Sequence, residues 1–174
     1  MKKLAFEELT ASRPSLEEAK ARHRFPVYGV VDDVRSLHNV GSIFRTADGM
    51  GLRKLYLCGI TGTPPKNEIH KTALGAEENV DWEYCKSAAQ IIRQLKQNGM
   101  QIVVLEHTDT SQHYQQADYK FPLCLVVGHE HFGVSEEAVA LADLAIEIPM
   151  YGLKGSLNVS VAFGIAGYEI ISRI

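Results

Sequence analysis

A few polar side chains in this chain have the types and spacing that chemistry needs. Asn39 and Arg45 stand six residues apart. In a helix that is roughly 600° of rotation at ~100° per residue, so the two do not share a face. Asn39 is expected at the helix cap, with Arg45 further along and projecting elsewhere. The plainer alternative is an N-cap asparagine plus a surface arginine paired with Asp48. Glu130 stands between Gly128 and Gly133, flanked by His129 and His131. The His-x-His pair invites a metal reading, but a third ligand at useful spacing is missing, and no metal is expected. Ser156 and Asn158 follow Gly152 and Gly155 where the last helix opens. There a polar side chain can cap the helix or bind a ligand, and the glycines let the backbone turn tightly or approach a ligand closely.

The elements that must position these residues alternate. Strands are expected over 27–31, 54–58, 80–84, 102–105, 123–127 and 144–148. Helices are expected over 16–23, 39–48, 68–74, 87–98, 135–141 and 158–173. Residues 107–120 are polar and expected to be irregular. The helix over 87–98 is the clearest: Ser87 with Gln90 is a capping-box pattern, Ile91, Ile92 and Leu95 share a face, and Gly99 takes the C′ position. Strand–helix alternation implies an α/β fold, with a Rossmann-like, mostly parallel sheet covered by helices on both faces. The all-apolar run Leu123-Cys124-Leu125-Val126-Val127 suits a strand buried on both sides.

No GxGxxG follows the first strand, which disfavours dinucleotide binding at that turn. The glycines follow late strands instead: Gly128 after 123–127, Gly152 and Gly155 after 144–148. In open α/β sheets ligands bind beyond the carboxyl ends of strands, so two such loops can form one cofactor pocket.

The chain has 174 residues, 45% of them hydrophobic and 22% charged, which fits one soluble domain with a real core. No apolar run reaches the ~18 residues of a membrane span, and the acidic turn at Glu7-Glu8 argues against an export signal. Cys58, Cys85 and Cys124 form no CxxC pattern and are expected to be reduced thiols, which favours the cytoplasm. The net charge of −3 argues mildly against nucleic acid. The stretch from Arg22 to Lys71 is locally basic, however, with Arg22, Arg24, Arg35, Arg45, Arg53, Lys54, Lys66 and Lys71 against Asp32, Asp33, Asp48 and Glu68.

Three stretches, in order, resemble the motifs of the SpoU/TrmH family of RNA ribose methyltransferases in the SPOUT superfamily. They are Asn39-Val40-Gly41-Ser42-Ile43-Phe44-Arg45, Gly128-His129-Glu130-His131-Phe132-Gly133, and Ile148-Pro149-Met150-Tyr151-Gly152 running on through Ser156-Leu157-Asn158-Val159-Ser160. The resemblance covers about 27–174. It implies a methyltransferase domain over 26–174 after an N-terminal extension, 1–25, and a sheet whose C-terminal part is threaded into a trefoil knot. It implies S-adenosylmethionine as cofactor, with contacts at Gly128, Ile148 and Leu157 and a further one at the strand end, Leu105. It makes Arg45 the catalytic residue at the target ribose and Asn39 a residue that fixes geometry and substrate. Glu130 becomes a carboxylate orienting Asn39 or the ribose, and Ser156 and Asn158 contacts to the ribose or supports of Arg45.

The implied reaction is methylation of a ribose 2′-hydroxyl. That requires an in-line nucleophile, loss of its proton, and an apolar pocket for the leaving thioether. Arginine, with a pKa above ~12, is a poor base. Arg45 is therefore expected to bind an RNA phosphate and lower the hydroxyl pKa by its charge. A guanosine in transfer RNA is the expected target, with ribosomal RNA as the alternative. The stretch Thr72-Ala73-Leu74-Gly75-Ala76-Glu77 resembles the tRNA guanosine enzymes more than the minimal wobble-base ones. A homodimer is implied, joined through the knot and the final helix, whose Val159, Val161, Ala162, Ile165, Ala166 and Ile170 are small or apolar. The extra N-terminal RNA-binding domain of many relatives is not expected here, and RNA is expected to meet the core face and short arms. Two other classes stay open: a non-catalytic RNA-binding module on this scaffold, and an enzyme acting on a nucleobase.

Overall fold

The computed structural model describes residues 1–11 and 13–174. Its strands are β1 (Phe25–Asp32), β2 (Leu52–Cys58), β3 (Trp82–Cys85), β4 (Gln101–Leu105), β5 (Gln112–His113), β6 (Leu123–Val127) and β7 (Leu144–Glu147). They form one sheet in the order β3-β2-β1-β6-β4-β7-β5. Every pairing in it is parallel. The helices are α1 (Phe6–Ala11), α2 (Leu16–Ala21), α3 (Leu37–Gly49), α4 (Asn67–Ala73), α5 (Ala76–Asn79), α6 (Ala88–Gln97), α7 (Glu136–Leu141) and α8 (Val159–Ile171).

The expected helices on both faces are present. All of β6 is buried. Because side chains alternate along a strand, Leu125 points to one face and its neighbours Cys124 and Val126 to the other. On the first face Val27, Val31 and Leu125 pack with Ile43 and Phe44 of α3 and Phe163 and Ile170 of α8. On the second Val30, Cys124 and Val126 pack with Ile91, Ile92 and Leu95 of α6 and Ala138 of α7. Phe163 is fully buried; truncating such a side chain to alanine costs about 3–5 kcal/mol. The buried thiols of Cys58 and Cys124 are pushed up in pKa, chiefly by desolvation, so they stay protonated. No helix among the described residues is long and apolar enough to cross a membrane.

Several elements differ from expectation. Helix α3 begins at Leu37, and its N-cap is Ser36, whose hydroxyl accepts from the backbone of Asn39 at 3.3 Å. Asn39 is thus in the first turn, not at the cap. Serine and asparagine cap equally well, and the one at the turn takes the role. The Ser87 cap is present, but only its hydroxyl half of the box is made. The polar stretch 107–120 contains β5, which pairs with β7. Helix α1 was not anticipated; it buries no residue and so shows no core-facing pattern. The box at Ser15 and Glu18 opens α2 as expected. Arg24 then ties the N-terminal segment down, donating to the Asn79 carbonyl at 3.2 Å and standing 4.0 Å from Asp48.

Candidate active site

The carboxyl ends of β4, β6 and β7 are neighbours, and one cavity of about 290 Å³ lies beyond them. That is close to the ~300 Å³ at which small-molecule sites begin. Apolar walls come from Leu105, Val127, Ile148, Met150, Leu157 and Ala162, with carboxylates from Glu106, Glu130 and Glu147. The four residues expected to hold a cofactor, Leu105, Gly128, Ile148 and Leu157, all line it. Glu130, Ser156 and Asn158 line it too.

The loop after β6 is built tightly. His129 and Gly133 form a small antiparallel bridge, with 2.9 Å backbone bonds in both directions. A Cβ on Gly128 would overlap the Gly133 carbonyl group and the Val134 nitrogen, so this position needs glycine. Glu106, just after β4, accepts from the Val134 backbone at 2.9 Å and from His107 at 3.0 Å. Nothing in the sequence flagged Glu106 or His107 beyond their place at the end of an apolar strand, which is where α/β ligand sites sit. His129 turns Nδ1 into its own loop, accepting from the backbones of His131 and Phe132 at 3.0 and 3.3 Å. No cluster able to hold a metal occurs among the described residues.

Glu130 reaches from this loop to the start of α3. Its carboxylate accepts from the backbone of Arg35 at 3.0 Å and of Ser36 at 2.9 Å, and from Asn39 Nδ2 at 2.8 Å. Burial pushes its pKa up, but the three donors outweigh that and hold the carboxyl below the ordinary range. Asn39 Oδ1 in turn accepts from Asn158 Nδ2 at 3.0 Å. Asn158 is the N-cap of α8, with Oδ1 accepting from the Ser160 backbone at 2.9 Å. Close packing places α3 for this contact: a Cβ on Gly41 would overlap the Thr72 hydroxyl and the Ile69 carbonyl of α4.

So Asn39, which does not line the cavity, joins Glu130 and Asn158 by hydrogen bonds. Ser156 lines the cavity without capping α8. Arg45 lies outside it. Arg45 is exposed, with no hydrogen bond or ion pair to a described residue. The alternative pairing with Asp48 is not made, because Asp48 meets Arg24 and the amide of Asn79. Beside Arg45 on α3, Ser42 and Thr46 border a shallow groove completed by Ser160, Val161, Gly164, Ile165 and Tyr168 of α8. Of the basic residues expected to form a face, Arg24 and Lys54 are spent in ion pairs. The side chains of Arg35, Arg45, Lys66 and Lys71 are exposed and have no partner among the described residues.

The fold and the cavity define a parallel α/β protein with a ligand pocket in the loops after β4, β6 and β7. Residues 26–168 match the model of the SpoU rRNA Methylase family, and the chain belongs to that family. It is 34% identical over 155 residues to the tRNA (guanosine(18)-2′-O)-methyltransferase of Escherichia coli strain K12, covering 87% of this chain and 66% of that one. The chain thus spans about two thirds of that relative's length. Among solved structures, the TrmH/SpoU tRNA modifying enzyme of A. aeolicus superposes with a TM-score of 0.82 at 36% identity, over 91% of this chain and 80% of that one. The AdoMet-bound rRNA methyltransferase of Sinorhizobium meliloti does so with a TM-score of 0.81 at 28% identity, over 90% and 60%.

Proposed function

We propose that this protein transfers a methyl group from S-adenosylmethionine to a ribose 2′-hydroxyl of RNA, at a guanosine of transfer RNA. The observation that carries the reading is the junction of the apolar cavity with the Glu130–Asn39–Asn158 relay. The tRNA relative in Escherichia coli supports the substrate, and the AdoMet-bound Sinorhizobium meliloti neighbour supports the cofactor. The residues present suit that cofactor. Leu105, Ile148 and Leu157 offer apolar contact to an adenosine, Gly128, packed against Gly133 and Val134, presents backbone alone at the cavity wall, and the carboxylates of Glu106, Glu130 and Glu147 favour a cation. The bound cofactor supplies an electrophilic methyl on a sulfonium.

The chain's own groups orient the acceptor. Glu130 holds Asn39, and Asn39 and Asn158 each keep a second amide hydrogen for the ribose. Ser156 adds a hydroxyl at the cavity wall. Glu130 is a poor proton acceptor, since three donors already stabilise its ionised form. Arg45, exposed and without a partner among the described residues, binds the neighbouring phosphate and lowers the hydroxyl pKa by its charge, and the proton passes to water or to a phosphate. Arg35, Lys66 and Lys71 extend the phosphate contact.

The same reading includes a C-terminal trefoil knot within a methyltransferase domain over 26–174, preceded by an extension over 1–25. It also includes a cytoplasmic location and a homodimer. Support for the dimer is the groove face of α8, where Val161, Ile165 and Tyr168 are 50%, 36% and 54% exposed.

The test incubates total tRNA and ribosomal RNA with tritiated S-adenosylmethionine and digests the labelled RNA. Label in tRNA, resistant to alkaline cleavage at the modified nucleotide, is expected. Label in ribosomal RNA alone would keep the chemistry and move the substrate. Label on an alkali-labile nucleotide would indicate a base methyl. Absence of both label and cofactor binding would sink the enzyme reading.

A further inference from the structure

The relay from Glu130 through Asn39 to Asn158 does not end at Asn158. The hydroxyl of Ser160 donates to Asn158 Oδ1 at 2.7 Å, shorter than the 2.9 Å cap bond from the Ser160 backbone to the same oxygen. Ser160 lies in the first turn of α8, is half-buried, and borders the α3–α8 groove.

An asparagine amide has two orientations of nearly equal shape that exchange its oxygen for its NH2, and its partners decide between them. Each joint of this relay needs one donor and one acceptor. Glu130, ionised, only accepts, so Asn39 must turn Nδ2 to it and Oδ1 to Asn158. Asn158 must then turn Nδ2 to Asn39 and Oδ1 to Ser160. A flipped Asn158 would set its NH2 against the Ser160 N–H and its oxygen against the Asn39 oxygen.

We propose that Ser160 is a positioning residue whose hydroxyl, added to its own backbone N–H, holds Asn158 Oδ1 in the orientation that Glu130 sets through Asn39, and so keeps the second amide hydrogens facing the target ribose. The proposal rests on the ribose methyl-transfer reading above. An ordinary helix-end role makes a different forecast. Alanine is a better helix former than serine, so Ser160→Ala should leave thermal stability level or slightly raised while the chemical step slows.

The experiment compares the full chain with Ser160→Ala and Ser160→Thr, using S-adenosylmethionine and the RNA that the wild type labels. The expected result is a single-turnover rate about tenfold lower in Ser160→Ala, within the loss that small misplacement causes. Cofactor and RNA affinities should stay within about twofold, and Ser160→Thr should restore the rate. The idea is overturned by an alanine rate within about twofold of wild type, by equal losses in alanine and threonine, or by a loss that follows cofactor affinity. Side-chain amide exchange at Asn158, read by 15N NMR, tests the relay without turnover. It should speed up in Ser160→Ala and not in Ser160→Thr; unchanged exchange also overturns the proposal. A wild type that labels no RNA while this exchange responds as expected would sink the methyl-transfer reading and leave the relay standing.

Discussion

Asn39 Nδ2 donates to Glu130 Oε1 at 2.8 Å across 91 residues of chain. The bond ties the first turn of α3 to the loop after β6. Because the same carboxylate also takes the backbones of Arg35 and Ser36, it acts as an external anchor for the helix start. That arrangement sets what Glu130 substitutions should do.

Glu130→Gln keeps the shape but turns one acceptor oxygen into a donor, facing a group that is itself a donor. An unsatisfied donor of this kind costs about 1–3 kcal/mol. The folded pKa of Glu130 lies below its unfolded value of roughly 4.3. Its stabilisation is therefore complete above that unfolded value and is lost as pH falls through the lower folded one. Thermal melts from pH 7 downward should show wild type ahead of Glu130→Gln at neutrality, with the gap closing below about pH 4. A gap independent of pH would mean that the ionised carboxylate is not what holds the helix start.

How much of this could be read along the chain depends on how local each cause is. The strands and the two-faced cover follow from strand–helix alternation and from all-apolar runs such as Leu123–Val127, and the second and third motif stretches, with the strand end at Leu105, pointed to the cavity that Leu105, Gly128, Ile148 and Leu157 line. The capping of α3 was misread because Ser36 and Asn39 are both good caps. What draws the Asn39 side chain away is a carboxylate far along the chain, which no local pattern contains. Strand β5 was missed for a similar reason: two residues pair through backbone with β7 and need no hydrophobic alternation. Arg45 shows the opposite limit. Its position in the motif was legible, but its exposure, and its lack of a partner among the described residues, come only from the packing of α3.

Arg45→Ala separates stability from activity. The side chain is exposed and has no partner among the described residues, so its removal should change stability by no more than about 0.5 kcal/mol. Methyl transfer to RNA should nevertheless fall by two orders of magnitude or more, on the order of an electrostatic stabiliser's contribution. Arg45→Lys should recover only part, because a point charge replaces the bidentate fork. Near-normal turnover in Arg45→Ala would remove this residue from the mechanism.

Gly128→Ala tests the loop that closes the cavity. The added carbon would overlap backbone at Gly133 and Val134, which cannot swing aside as a flexible side chain would. Overpacking of this kind costs about 1–3 kcal/mol. Calorimetric titration with S-adenosylmethionine should show binding weakened at least tenfold, because the loop that lines the cavity must shift. Unaltered affinity would place the cofactor away from this loop.

The unpaired cations give a test that needs no chemistry. If Arg35, Lys66 and Lys71 meet RNA phosphates, each releases condensed counterions on binding. Replacing one by alanine should then weaken RNA binding similarly across sequences. It should also lower the slope of log affinity against log salt by about 0.7 for single-stranded and 0.9 for duplex contacts. Lys54, already bonded to Glu83 at 2.8 Å, serves as the control, and Lys54→Ala should leave the slope unchanged. Filter binding between about 50 and 200 mM salt reads both quantities. Equal slopes for the Lys66, Lys71 and Lys54 variants would move the RNA to another face. A slope change confined to Arg35 would restrict the contact to the start of α3, beside Glu130 and the cavity.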